Sequence, residues 1–211
     1  MSDINFAQLL ITFAVLLVSL TVHEAAHAWS ADQLGDPTAR LLGRVSLNPA
    51  VHVDPIGTIV FPLVALLTNI PVLGWAKPVP VNTRNLHGHW KRKYMVIAAA
   101  GPASNIAMAV IAAVVARLLP IGDADGAAGP MSQFLQTAVL INVLLAVFNM
   151  VPVPPLDGGN VLAGLLRGSA AEFYDRVRPY GFMILYGLMF TGVLAAIITP
   201  PARFILRILL A

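Results

Sequence analysis

Apolar residues run through this chain in long blocks separated by short polar interruptions, a pattern that predicts helical spans of membrane length. Asn5 to Trp29 is apolar until near its end, where His23, Glu24 and His27 interrupt it. About 20 such residues cross a hydrocarbon core, so a first span is expected over about 5–30. Tyr94 to Leu119 predicts a second span, with Gly101-Pro102 inside it, and Met131 to Met150 a third. A Pro- and Gly-rich piece at 151–159 follows, and an apolar helical pattern resumes from Asn160 to Leu166, so the third core segment reaches over about 131–166. Tyr180 to Ile198 predicts an extra span over about 180–199, and Arg203 to Leu210 a short interfacial helix.

Two stretches resist a simple reading. Ile56 to Leu73 is apolar but broken by Gly57, Pro62 and Pro71, which predicts a re-entrant segment, with a full span as the competing reading. Val72 to Val81 carries alternating prolines and favours extended structure, either as a β-like edge or as a plain loop. The expected fold is an all-α polytopic membrane protein with about four to five transmembrane helices and a re-entrant or short β-like segment. A single membrane-embedded domain is expected over 1–211.

Composition agrees with the pattern. Hydrophobic residues make up 58% and charged residues 11%, with a mean hydropathy of +0.79; soluble domains carry roughly 25% charged residues. The net charge of +3 does not indicate nucleic acid, because Lys and Arg gather in short loops at 77–93 and 167–178 rather than on one face. That is the positive bias of cytoplasmic loops. The start of the chain carries Asp3 and no Lys or Arg, which places it outside and sends the first helix inward. The first apolar run lacks the basic flank and cleavage site of a signal peptide and is read as a retained helix. Residues 30–54 and 77–93 then share the cytoplasmic side, which requires that 56–73 does not cross. The expectation is a multi-pass protein of the cell (inner) membrane.

His23-Glu24-Ala25-Ala26-His27 is a His-Glu-x-x-His motif. On a helix, positions i and i+4 share a face, so both imidazoles can reach one metal ion. Glu24 can approach a water held by that metal and act as its general base. The motif takes one of only two Glu and two of five His in the chain, and ionisable groups in a span are presumed functional. Without cysteine, a zinc site must use His and carboxylates. The third ligand is sought among His52, His87, His89 and a carboxylate, and Asp157 is the best placed. The first helix reaches His23 and His27 after about 27–33 Å of rise, and the third span returns to the same side just before Asp157. The competing reading of Asp157 is an N-cap for the helix beginning near Gly158.

At these residues the sequence resembles the site-2 protease family of intramembrane zinc metalloproteases. Those enzymes pair a His-Glu-x-x-His helix with a later Asn-x-x-Pro-x-x-x-Leu-Asp-Gly segment, matched here by Asn149, Pro152, Leu156, Asp157 and Gly158. Gly101-Pro102-Ala103-Ser104-Asn105, and Asn48-Pro49 with His52, Asp54-Pro55 and Gly57, add to the resemblance. The resemblance implies peptide-bond hydrolysis within transmembrane segments of other proteins. It assigns one Zn2+ to His23, His27 and Asp157, the activation of water to Glu24, and the holding of an extended substrate strand to Asn149. It also implies a three-helix catalytic core made of the first three spans, in a compact form without a PDZ domain.

Lesser candidates stand beside their structural readings. Asn105, a polar group in a span, is read first as an interhelical hydrogen-bonding position and second as a candidate for reaching the substrate, and Gly101 is read as a packing position. His52 could polarise a substrate carbonyl or do nothing catalytic. His87 and His89, next to Trp90, read as interfacial anchors. The expected partners are the bilayer and a transmembrane protein substrate, with no nucleic acid. The alternative function is a non-hydrolytic membrane metal-binding or transport protein; Glu24 argues against it, because transport needs ligands and no general base.

Overall fold

The first apolar stretch folds as one helix, α1 (Phe6–Gln33), carrying the His-Glu-x-x-His turn near its C-terminal end. A computed structural model describes residues 6–61, 64, 74–119 and 129–211. Gly35 closes α1 at φ 108°, a backbone region open to glycine, and this lets Asp36 N–H return to the Ala31 carbonyl at 2.9 Å. A single turn, α2 (Thr38–Leu41), follows.

The second and third spans are α3 (Trp90–Leu118) and α4 (Pro130–Asn149). α3 starts four residues before Tyr94, so Lys91, Arg92 and Lys93, expected in a loop, ride on its first turn. The third core segment, expected over 131–166, divides into α4, an irregular link with a cis Pro154–Pro155 bond, and α5 (Asp157–Leu165). A surface helix, α6 (Ser169–Val177), leads to α7 (Gly181–Phe190) and α8 (Val193–Leu210).

The extra span differs from expectation. Thr191 and Gly192 break the run expected over 180–199: Thr191 Oγ1 bonds the Gly187 carbonyl, and Gly192 is left-handed at φ 76°. The membrane-length helix starts after the break and continues through Pro200 and Pro201. Residues 203–210, expected as a separate interfacial helix, belong to it. Prolines are tolerated within membrane helices; separately, the C-terminal carbonyls of Ile208, Leu209 and Ala211 accept from Arg117 Nη2. Among the described residues, four helices, α1, α3, α4 and α8, are long and apolar enough to cross a membrane, and no strand occurs.

Most of the expected re-entrant segment lies outside the described residues; residues 55–60 form a short π-helical turn. The described part of the possible β-like edge, 74–81, makes no ladder. Pro78 and Pro80 lack N–H groups, and the Trp75 and Lys77 amides bond the carbonyls of Gly57 and His52 instead.

The helices pack through small residues. Val15, Ala109, Ala112, Ala113, Val139 and Ala202 form a buried layer where α1, α3, α4 and α8 meet; small side chains let membrane helices approach closely. One turn along, the layer becomes polar: Ser19, Asn105 and Asn142 are each fully buried. A further turn brings His23, His27 and Gly101, so the chemistry rests on a polar shelf above an apolar floor.

Candidate metal centre

α1 presents His23 and His27 on one face, four residues apart, towards the start of α5. Their Nε2 atoms are 3.1 Å from each other, and Asp157 Oδ2 lies 3.1 Å from His23 Nε2 and 3.3 Å from His27 Nε2. All three atoms fall within 4.8 Å of one another. Three residues separated by up to 134 positions thus meet at one point, because α4 returns the chain to the level at which α1 ends.

The ring orientations follow from the second nitrogens. His23 Nδ1 is 2.7 Å from Asn105 Oδ1, and His27 Nδ1 is 2.7 Å from the Ile97 carbonyl. Both partners are acceptors, so each Nδ1 carries the proton and each Nε2 carries a lone pair. Two lone pairs and a carboxylate then face one another with no proton between them, and Asp157 Oδ2 is buried without a hydrogen-bond partner. Read as ion pairs, these contacts would need protonated imidazoles whose Nε2 protons oppose each other at 3.1 Å. A cation among the three atoms removes both conflicts, and two His with one carboxylate is a donor set that suits zinc with a position left for water. The residues present fit a metal ion.

Asn105 completes a relay. Its Oδ1 holds His23, its Nδ2 donates to Asn142 Oδ1 at 2.9 Å, and Asn142 Nδ2 donates to the Ala138 carbonyl at 2.9 Å. Of the two readings of Asn105, structural support and substrate contact, its position favours the first: it is fully buried against the His23 ring. Asn142, unnoticed in the sequence, is its support; an Asn within the apolar run 131–150 was the available signal. Gly101 also does more than pack α3. A Cβ there would collide with His27 Nε2 and lie 2.6 Å from His23 Cε1, so only glycine lets both rings lie on the helix.

The three atoms open into a cleft of about 470 Å³. Glu24 lines it beside Leu20, and its Oε2 accepts from the Val79 N–H at 3.2 Å. Asn149 stands on the α4 wall, half-buried, with Nδ2 donating to the Leu145 carbonyl and Oδ1 free of that bond. Asp157 is the first residue of α5, and the N-cap is Leu156, without a side-chain bond. His52 does not line the cleft: it is 2% exposed, and its Nε2 donates to the Ser46 carbonyl at 2.8 Å. His87 and His89 are exposed on the turn before α3 and do not line the cleft.

Comparison with known proteins points to zinc metalloproteases. The model for "Peptidase family M50" matches residues 115–192, which include Asn149 and Asp157. A Bacillus subtilis protein named "Putative zinc metalloprotease YwhC" is 33% identical over 188 residues, covering 88% of this chain and 82% of that protein. "Putative zinc metalloprotease Rip2" of Mycolicibacterium smegmatis is 28% identical over 88% of this chain and 68% of its own length. No solved structure matches the chain. The chain belongs to peptidase family M50, the site-2 protease family of membrane zinc metalloendopeptidases.

Proposed function

We propose that this chain is an intramembrane endopeptidase, cutting a peptide bond in or beside a transmembrane segment of another membrane protein. The observation that carries the reading is the meeting of His23, His27 and Asp157 with Glu24 in one cleft, walled by helices long enough to cross a bilayer. His23, His27 and Asp157 hold one zinc ion. When bound, zinc polarises the scissile carbonyl and lowers the pKa of the attacking water. Glu24 takes the proton from that water and passes it to the leaving amine. Asn105 and the Ile97 carbonyl keep the imidazoles in the tautomer that offers Nε2, a task such outer partners perform in other metal sites.

A helical substrate hides its carbonyls in its own hydrogen bonds and must open before it is cut. Asn149 offers Oδ1 to a backbone N–H of the opened strand, since its Nδ2 is committed to Leu145. The basic clusters at 77–93 and 167–178 favour an orientation in the cell membrane with this end of the bundle towards the cytoplasm.

Reconstitution into lipid vesicles with a single-span substrate tests the proposal, with the new termini identified by mass spectrometry. Termini inside the apolar stretch are expected. Cuts confined to the water-exposed flanks, or zinc transport without any cleavage, would contradict it.

A further inference from the structure

Residues 77–82 wall the cleft through Pro78, Val79 and Val81, yet they have no regular structure of their own. Beyond the Lys77 amide bond to the His52 carbonyl, side chains from elsewhere fix them. Arg44, 6% exposed, grips one end: its Nη2 donates to the Lys77 carbonyl and, at 3.4 Å, to that of Pro78. No carboxylate pairs with Arg44 among the described residues, so a buried guanidinium is spent on backbone carbonyls, an expensive choice for stability alone. Asp36, fully buried, grips the other end, accepting from Asn82 N–H at 2.6 Å and Asn85 Nδ2 at 2.7 Å. Thr38 braces the carboxylate through its own N–H and hydroxyl.

Pro78-Val79-Pro80 lies between the two grips. Proline has no N–H and a fixed φ, so Val79 holds the one backbone donor of this stiff tripeptide. That donor meets Glu24 Oε2. Both grips arise just after α1, the helix that carries Glu24: Asp36 bonds back to Ala31, and the Arg44 amide returns to Ala39 at 2.8 Å. One rigid unit therefore bears both Glu24 and the anchors of its partner.

We propose that Arg44 and Asp36 are positioning residues, clamping 77–82 so that the Val79 N–H holds the Glu24 carboxylate in its working orientation beside the metal ligands. The inference rests on Glu24 being the general base. A loosened clamp leaves zinc in place and misdirects Glu24, so turnover suffers while metal binding does not.

The chain has no cysteine, so Val81→Cys gives a single thiol between the grips. The test measures its labelling by a water-soluble maleimide in the otherwise unchanged full chain, and again with Arg44→Met or Arg44→Lys added. In the chain without the cysteine, kcat, KM and zinc content are measured for the same Arg44 substitutions. Arg44→Met is expected to speed labelling and lower kcat, each roughly tenfold or more, with KM changed less than about threefold and one zinc retained. Arg44→Lys, which still reaches a carbonyl, should recover part of both effects, and Asp36→Asn should shift both in the direction of Arg44→Met. Unchanged labelling in Arg44→Met would overturn the clamp. So would kcat and zinc falling together, the mark of a partly unfolded protein. Labelling needs no cleavage: faster labelling in Arg44→Met beside cleavage retained by Glu24→Gln would uphold the clamp and overturn the base assignment beneath it.

Discussion

At the scale of single residues, the site depends as much on a missing side chain as on those present. His23, Glu24 and His27 were legible because one short motif carries helical spacing, ligand chemistry and the cost of polar groups in lipid together. Asp157 was legible from the topology that returns the third span to the same level. Gly101 and Asn105 were read only in part, since their roles depend on which face of α3 meets α1, and a uniformly apolar helix does not reveal that. Gly101→Ala is expected to fold and to lose zinc affinity by roughly ten- to a hundredfold, because its Cβ would occupy the place of the His27 ring tip. Competition with a zinc chelator measures this, and a variant with wild-type affinity would show that the rings do not need the bare helix.

At the scale of elements, α1, α3 and α4 fell where their hydrophobic runs placed them, while the last span did not. Hydropathy sees no boundary between Tyr180 and Ile198, yet one left-handed glycine after a threonine ends α7 and starts α8. The loop after α1 was read simply as a polar connection. It is instead an ordered brace around Asp36, four hydrogen bonds that no periodicity announces. Burial pushes the Asp36 carboxyl up, but the bonds from Thr38, Asn85 and the Asn82 amide outweigh it and hold the group below its ordinary 3.8. The ionised form is therefore the folded form's preference. Its contribution is complete above the ordinary carboxylate range and is lost as pH falls through the lowered value. Asp36→Asn, which turns a donor towards the Asn82 N–H, should cost roughly 1–3 kcal/mol at neutral pH and blunt the acid destabilisation of the wild type. Thermal unfolding in detergent from pH 7 to pH 3 checks it; parallel curves for the two proteins would mean that Asp36 carries no such linkage.

At the scale of the whole molecule, two demands conflict. A membrane span must be apolar, and hydrolysis needs water, charge and metal ligands. The bundle reconciles them by stacking layers: small apolar residues at one level, Ser19, Asn105 and Asn142 at the next, and the imidazoles with Asp157 at the third. Below the imidazoles, Asn105 bonds Asn142 across two helices, Asn142 bonds the Ala138 carbonyl of its own helix, and the Ser19 hydroxyl has no partner. The layered order could not be read from the sequence, because the antiparallel course of the spans does not reveal which faces of α3 turn towards α1 and α4.

In the proposed mechanism, His23, His27 and Asp157 hold zinc while Glu24 acts on water rather than on the metal. Zinc content by elemental analysis, together with cleavage of a transmembrane substrate, tests it most directly when wild type and Glu24→Gln are compared side by side. About one zinc per chain is expected in both proteins, with turnover in the variant reduced by at least roughly a thousandfold. Cleavage retained by Glu24→Gln, or a wild-type protein purified under metal-replete conditions without zinc, would contradict it.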